Sequence, residues 1–195
     1  MAGTGYLPSP IFAGYTNRYK LKENEMTIDN CQFSFSEMAS NILPGHMGRM
    51  KKAMLNPHPM TLFGTQGLGP KGIFHHLGFV GDFTGCYVLI EKEFPIYVGI
   101  SRSVVQRLIQ HVKGRTHYDA TLAYRIASEN KTHGLQRDVA MKDPEFRNEF
   151  NRAKDYLKSL YVAFIEIEND LDLYLFEVFC AMDLKTVKWN TFRTH

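Results

Sequence analysis

The chain has 195 residues, of which 44% are apolar and 13% aromatic, and its formal net charge is +3. This composition excludes a disordered chain, because disordered chains are poor in the aromatic and β-branched residues that build a core. The sequence has no run of about 18 or more apolar residues, so it predicts no transmembrane helix.

Residues 1–80 differ from the rest of the chain in charge and composition. They hold seven Lys and Arg against four Asp and Glu, whereas residues 81–195 hold sixteen of each. The basic stretch 46–52 is predicted to be a helix or a surface arm, and the glycine-rich stretch 64–72 is predicted to be a loop. Since no linker separates the two parts, we interpret 1–80 as an N-terminal extension packed on a core domain at 81–195.

The core domain begins with a predicted hairpin. Residues 86–90 and 96–100 are short, β-branched and aromatic, which predicts two strands, and 91–95 is predicted to be the turn. Ser101 or Ser103 is predicted to cap the following helix. The apolar residues of that helix fall on one face: Val104, Val105, Leu108, Ile109 and Val112.

The later elements alternate between helix and strand. Asp119 is predicted to cap a helix that ends before Gly134, and the cap, proline and acid at 143–145 predict the start of another helix. A strand is predicted at 161–167 and a last helix at about 171–183. We therefore expect an α/β (α+β) fold, with a small, mostly antiparallel sheet flanked by helices.

The cysteines and the N-terminus indicate a cellular compartment. Cys31, Cys86 and Cys180 are odd in number and far apart, so neither a disulfide framework nor a cysteine zinc site is expected. The N-terminus lacks the basic and apolar segments of a signal peptide. We expect a reduced, cytoplasmic protein that has no membrane partner.

Two tripeptides at the hairpin resemble the half-motifs of the GIY-YIG nucleases. Gly85-Cys86-Tyr87 is followed, after nine residues, by Tyr97-Val98-Gly99. Family members have other residues at the middle positions too, and a small polar residue soon after the second half-motif, which Ser101 matches. The resemblance runs in order from about 84 to 191, over half of the chain.

The resemblance implies an active site composed of four further residues. The family has an arginine on the following helix, matched by Arg107, and many members have a histidine one turn later, matched by His111. A glutamate on a later helix binds the metal, and Glu177 is the candidate; an asparagine near the end is matched by Asn190. Where several members have a lysine after the second half-motif, this chain has Ile100, which gives His111 a larger predicted role.

The residue types agree with this site, although each has a structural alternative. Tyr87 and Tyr97 lie on adjacent predicted strands, where they are also compatible with ordinary packing. Arg107 and His111 are four apart and share a helix face, as two solvated residues also would. Arg offers a planar fork for a phosphate, and His can move a proton near neutral pH. Asn190 is also compatible with a helix-end cap.

Glu177 carries the strongest signal in the residues themselves. Its helical neighbours Leu173, Tyr174, Cys180 and Ala181 form an apolar face, where a carboxylate is costly unless it is paired or binds a cation. One alternative is a structural salt bridge with Arg107. The other is a ligand for Mg²⁺, which is often bound by only one or two carboxylates. Mn²⁺ can take the place of Mg²⁺ at such a site.

The resemblance implies a magnesium-dependent endodeoxyribonuclease that hydrolyses double-stranded DNA. A water would lose its proton to a phenolate, with Tyr87 favoured and Tyr97 or His111 assisting, while Arg107 neutralises the phosphoryl charge. The extension at 1–80, which would supply DNA contacts or a dimer surface, suits a site-specific type II restriction enzyme, and a palindromic site would imply a homodimer. The alternatives are a mobile-element or repair-type nuclease, or a catalytically inactive DNA-binding module of the same fold. The remaining histidines, His75, His76, His117 and His133, have no assigned partner.

Overall fold

The computed structural model describes residues 27–130 and 136–192. Within these ranges, four strands form one sheet in the order β1-β4-β2-β3, and all neighbouring strands are antiparallel. The predicted α+β class, a small antiparallel sheet flanked by helices, is confirmed. The strands are β1 (His58–Pro59), β2 (Gly85–Glu91), β3 (Phe94–Ser101) and β4 (Tyr161–Glu166).

Most of the described residues outside the sheet are helical. Asp143 caps α8 as predicted, because its carboxylate accepts a hydrogen bond of 2.9 Å from the Glu145 amide. The predicted helix at about 171–183 is also confirmed, and it is capped by Asn169. The helices are a 3₁₀ turn (Ile28–Asn30), α1 (Phe35–Glu37), a π turn (Met38–Ile42), α2 (Leu43–Met54), α3 (Thr61–Gly64), α4 (Pro70–Leu77), α5 (Val104–Lys113), α6 (Thr121–Asn130), α7 (Arg137–Ala140), α8 (Pro144–Lys158) and α9 (Asp170–Asp183).

The sheet has a helical layer on each face, because side chains alternate between the two faces of a strand. On one face, Tyr87 and Leu89 of β2 enter a core that α5, α6 and α8 cover. On the other face, Cys86 and Val88 pack with α2 and α9. None of the helices in the described ranges is long and apolar enough to cross a membrane.

The described part of the N-terminal extension contributes to both cores. Met60, Phe63 and Ile73 are fully buried in the same cluster as Tyr87. β1 adds a short strand to the sheet by pairing with β4. The basic stretch 46–52 lies on α2, where its two methionines are buried and pack on the opposite face of the sheet.

The predicted loop at 64–72 is only partly a loop. α3 ends at Gly64 and α4 begins at Pro70, so Gly72 lies inside a helix and the prediction is wrong for 70–72. The physical reason is that proline suits the first position of a helix, because its ring fixes the required φ. Proline has no amide hydrogen, but in the first turn of a helix that hydrogen would have no partner. His75 and His76 lie on the last turn of α4 and are exposed.

The predicted turn at 91–95 is too long. β2 continues to Glu91 and β3 begins at Phe94, which leaves a two-residue turn in which Lys92 has a φ of 58°. Pro95 therefore lies in a strand. That position is compatible with proline because β3 is the edge strand of the sheet, where an amide hydrogen is not required.

The predicted caps of α5 and α6 are not found. The side chain of Ser103 makes no capping bond; instead the Asp82 carboxylate accepts from the amides of Val105 at 2.8 Å and Gln106 at 2.9 Å. The negative charge of a carboxylate stabilises the positive N-terminal end of a helix. Asp82 was not predicted as the cap because it lies 23 and 24 residues before the two amides that it binds. The carboxylate of Asp119 binds the Thr116 hydroxyl at 2.8 Å. The predicted helix end near Gly134 lies outside the described residues.

Candidate functional site

Tyr87 and Tyr97 lie on the same face of the hairpin. Tyr87 pairs with Gly99 across β2 and β3, and Tyr97 pairs with Leu89, so the two tyrosines are diagonal neighbours. Their ring centroids are 6.2 Å apart. The strand register therefore brings together two residues that are ten positions apart in the chain.

The glycines beside the tyrosines are required by close approaches. A Cβ atom on Gly99 would lie 2.5 Å from the Tyr87 hydroxyl oxygen, so the Tyr87 ring occupies the space above this glycine. A Cβ atom on Gly85 would overlap the carbonyl oxygen of Ile165 on β4. The first approach shapes the site, whereas the second is needed for the sheet itself.

His111 makes the closest polar contact with the tyrosine pair. Its Nε2 lies 2.7 Å from the Tyr87 hydroxyl oxygen, and both side chains are buried. Burial, and secondarily the positive charge of Arg107, lower the pKa of His111 to about 3. The ring is therefore neutral at pH 7, and its other nitrogen, Nδ1, is buried and has no partner among the described residues.

Arg107 lies one turn before His111 on α5 and is half-buried. Its Nη1 donates to the Asp119 carbonyl oxygen at 2.9 Å, and its Nη2 donates to the Thr121 hydroxyl at 2.7 Å. These two bonds fix the guanidinium between α5 and α6. Its positive charge lowers the pKa of both tyrosines and so opposes the effect of burial.

The two tyrosines differ in accessibility and in acidity. Tyr87 is 1% exposed, and burial followed by the neighbouring Tyr97 raises its pKa well above the ordinary value. Tyr97 is half-buried; burial raises its pKa, and the charge of Glu177 raises it further. Arg107, Arg125 and a hydrogen bond with Tyr87 lower the pKa of Tyr97. Tyr97 is therefore the less buried of the two phenols.

Glu177 is a half-buried carboxylate on α9. Burial raises its pKa to about 7, and no hydrogen bond or salt bridge joins it to another residue in 27–130 or 136–192. The alternative of a salt bridge with Arg107 is therefore not found. Leu173 is buried as expected, but Tyr174 is 62% exposed, so the helix face around Glu177 is less buried than predicted.

The residues around Glu177 fit one hard cation. No group of three or more His, Cys, Asp or Glu is arranged for a metal within the described residues, so Glu177 would be the main protein ligand. Mg²⁺ is often bound by one or two carboxylates, with water and phosphate oxygens completing its shell. A cation would also supply the counter-charge that this carboxylate lacks.

Asn190 holds the edge strand of the sheet. Its Oδ1 accepts from the Val98 amide at 2.8 Å, and its Nδ2 donates to the Val98 carbonyl at 2.7 Å. The amide side chain thus takes the place of a further strand on the outer side of β3. Because Val98 stands between Tyr97 and Gly99, Asn190 positions the hairpin rather than touching the tyrosine rings.

Ser101 does not join the tyrosines. Its hydroxyl accepts a hydrogen bond of 3.0 Å from the Ser103 amide and so shapes the turn before α5. Sequence reasoning also missed two residues of α6, namely Thr121, which binds Arg107, and Arg125, whose charge reaches Tyr97. They are four apart and share a helix face, but no pattern in the sequence indicates that this face meets α5.

Comparison with known proteins gives no relative. No family model matches the chain, and no curated protein or solved structure is significantly similar to it. The resemblance to the GIY-YIG nucleases therefore depends on the matched residues and on where the fold places them.

Proposed function

We propose that the protein is a magnesium-dependent endonuclease that hydrolyses phosphodiester bonds in double-stranded DNA. The observation that carries the proposal is the contact network in which Tyr87 binds His111, beside Tyr97 and Arg107. Glu177 lies close enough to Tyr97 to raise the pKa of its phenol. Five residues from β2, β3, α5 and α9 thus combine proton-transfer groups, a cation for phosphate and an unpaired carboxylate.

Tyr97 is the better candidate for the general base than Tyr87, which the sequence favoured. In the proposed reaction, the Tyr97 phenol first gives its proton to solvent, and the phenolate then takes a proton from a water whose oxygen bonds to the scissile phosphorus. The bond from phosphorus to the 3′ oxygen breaks, and that oxygen takes up a proton from solvent. Tyr87 is too deeply buried to touch that water. When the Nε2–H tautomer of His111 donates to its oxygen, the Tyr87 hydroxyl is free to donate to Tyr97, and that bond lowers the pKa of Tyr97. Arg107 stabilises the phenolate and offers its remaining N–H groups to the phosphoryl oxygens.

Glu177 is proposed to bind the metal ion. Mg²⁺, or Mn²⁺ in its place, supplies Lewis-acid stabilisation of the leaving 3′ oxygen when it is bound. The carboxylate must be ionised for that role, and its pKa of about 7 means that a proton competes for the site at neutral pH. We further propose that the protein is a site-specific type II restriction enzyme that acts as a twofold dimer on a palindromic site.

Incubation of the protein with plasmid DNA and Mg²⁺ tests the function. Discrete bands are expected for a site-specific enzyme, whereas random nicks would favour a mobile-element or repair-type nuclease. Glu177→Gln is expected to lower the cleavage rate at least about 100-fold while DNA binding persists, since the metal contribution is lost. The matched control is Glu168→Gln, which changes an exposed carboxylate and should cut normally.

Two results would refute the proposal. One is cleavage by Glu177→Gln at the wild-type rate. The other is DNA binding without any cleavage across several DNA substrates with Mg²⁺ or Mn²⁺, which would instead identify a catalytically inactive DNA-binding module.

A further inference from the structure

A basic cleft lies between α7, α8 and the loop that follows α5. Its volume is about 460 Å³, and its lining includes none of the residues of the tyrosine site. That volume falls within the range of about 300–1,000 Å³ that small-ligand pockets occupy. The cleft is therefore a separate feature that the proposed cleavage chemistry does not use.

The charges that line the cleft are strongly unbalanced. Its cations are Arg115, Lys142, Arg147 and Lys154, and its single carboxylate is Asp138. None of the four cations forms a salt bridge with a residue that the structure describes. Residues 81–195 contain equal numbers of acidic and basic side chains, so it is the fold that concentrates positive charge here.

One wall of the cleft is a stripe along α8. Arg147, Asn151 and Lys154 are four and then three positions apart, so they share one helix face. Lys154 is half-buried above the ring of Phe150, and its Nζ donates to the Gly114 carbonyl at 3.1 Å. Burial lowers the pKa of Lys154, the Asp155 carboxylate opposes this effect, and Arg115 lowers the pKa further. A bound anion would relieve this crowding of positive charges.

The opposite wall carries an exposed aromatic ring. Tyr118 is 68% exposed, and its ring centroid lies 3.9 Å from that of buried His117. His117 Nε2 in turn lies 3.7 Å from a carboxylate oxygen of Asp138, which gives this histidine a partner that the sequence did not indicate. In duplex DNA the bases are paired and stacked, so an exposed tyrosine beside a basic groove meets the backbone, to which its hydroxyl can donate a hydrogen bond.

The same loop links the cleft to the tyrosine site. Lys154 in the cleft binds the carbonyl of Gly114 at the start of the loop, and Arg107 of the tyrosine site binds the carbonyl of Asp119 near its end. A ligand in the cleft would therefore contact a loop whose other end is fixed by the arginine proposed to meet the scissile phosphate.

We propose that this cleft binds the phosphodiester backbone of the DNA substrate at phosphates away from the scissile one, with the Tyr118 hydroxyl donating to the same backbone. The inference rests on the proposed function, in which DNA is the substrate. Arg115 and Lys142 lie at the exposed part of the cleft and contact phosphate oxygens, while Arg147 and Lys154 line its α8 wall. Phosphate contacts of this kind set the position of the protein on DNA without reading its sequence.

The test is an anisotropy titration of the full chain with labelled duplex and single-stranded oligonucleotides, without divalent cations and at several salt concentrations. The variant Arg115→Gln/Lys142→Gln removes two exposed cations that make no described hydrogen bond, so its fold should be unchanged. We expect affinity to fall about tenfold and the slope of log K against log salt to decrease by about 1–2. The control Lys71→Gln/Lys185→Gln removes two exposed cations outside the cleft whose side chains make no described hydrogen bond or salt bridge.

Other results would overturn the inference. One is an affinity and a salt slope of Arg115→Gln/Lys142→Gln that equal those of the wild type. The other is an equal loss of affinity in the control variant. Inorganic phosphate and deoxyadenosine monophosphate serve as competitors: if they bind the cleft tightly while oligonucleotides do not, the cleft takes a free phosphate compound rather than DNA. Cleavage with Mg²⁺ is measured separately. If the variant cuts normally and its DNA binding is unchanged, the proposal for the cleft alone is refuted. If DNA binding depends on the cleft but no DNA is cut, the proposed nuclease activity alone is refuted.

Discussion

At the scale of single residues, the tyrosine site depends on how deeply each side chain is buried and on which side chains it contacts. Tyr87 is enclosed and shares a hydrogen bond with His111, whereas Tyr97 is only half-buried. Two residues that look equivalent in the sequence therefore have different tasks. Gly99 makes the arrangement possible, because any larger side chain would take the space of the Tyr87 ring.

The two tyrosines are expected to respond differently to loss of the hydroxyl. Tyr87→Phe leaves the buried Nε2 of His111 without its partner, so the free energy of unfolding should fall by about 1–3 kcal/mol. Tyr97→Phe should change that free energy by less than about 1 kcal/mol but slow cleavage about 100-fold or more, because it removes the proposed base. Urea denaturation and a plasmid assay measure the two effects. Normal cutting by Tyr97→Phe would contradict this assignment.

Glu177 predicts a linked dependence on pH and Mg²⁺. Its pKa is about 7 in the folded chain against an ordinary 4.5, so the folded chain holds an extra proton between these values. The contribution of Glu177 to stability is therefore full at low pH and is lost as pH rises through that window. Bound Mg²⁺ should compensate above the window, where the carboxylate is ionised, and should have little effect below it.

Thermal unfolding measures this dependence without any assay of activity. With Mg²⁺ at about ten times its Kd, stabilisation is about 1.4 kcal/mol, which should raise Tm by about 3–5 °C at about pH 8 and by much less at about pH 5.5. Glu177→Gln is the control and should show no Mg²⁺ effect at either pH. An equal rise of Tm in this variant would place the metal elsewhere.

At the scale of elements, the edge strand β3 is the part of the site that needs support. It carries Tyr97 and Gly99, yet only β2 pairs with it in the described sheet. Asn190 satisfies both backbone groups of Val98 from a position 92 residues away. The capping of α5 by Asp82 has the same character, since a distant side chain fixes the helix that carries Arg107 and His111.

Asn190→Asp is expected to loosen β3 selectively. The carboxylate can still accept from the Val98 amide, but it cannot donate to the Val98 carbonyl, and it lies close to a carbonyl oxygen of like partial charge. We expect a loss of about 1–3 kcal/mol in the free energy of unfolding, with faster hydrogen exchange at the Val98 amide. Asn148→Asp on the exposed side of α8 is the control, and equal exchange at Val98 in both variants would contradict the positioning role.

At the scale of the whole molecule, the described N-terminal residues and the core domain share one interior. The sheet extends across the predicted boundary at residue 80, because β1 pairs with β4. The balanced charges of 81–195 are likewise redistributed by folding, which places four cations around one cleft. Neither property belongs to any one element.

Phe63 provides a test of the shared interior. Its side chain is 0% exposed among residues of α5 and α8, so Phe63→Ala should lower the free energy of unfolding by about 3–5 kcal/mol in a single transition. Phe94→Ala is the matched control, because Phe94 is 71% exposed and its loss should cost less than about 0.5 kcal/mol. A separate early transition in Phe63→Ala would instead indicate that 27–80 unfolds independently.

Prediction from sequence succeeded where the signal is local. The hydrophobic periods placed the hairpin, α8, β4 and α9, and Asp143 is a cap within its own helix start. It failed where the deciding partner is remote, since Asp82 replaced Ser103 as the cap of α5. It also failed at a local signal, because Pro70 begins a helix within a glycine-rich stretch that was predicted to be a loop.

By itself, the sequence determined the α+β class, the order of the elements of the core domain and the set of residue types that could act on a phosphate. Only the tertiary structure decided which of those residues meet. Strand register set Tyr87 beside Tyr97, helix packing set Arg107 against Thr121, and folding left Glu177 without a described partner. The physical reason is that periodicity fixes the face on which a side chain lies, whereas burial, acidity and accessibility depend on what covers that face.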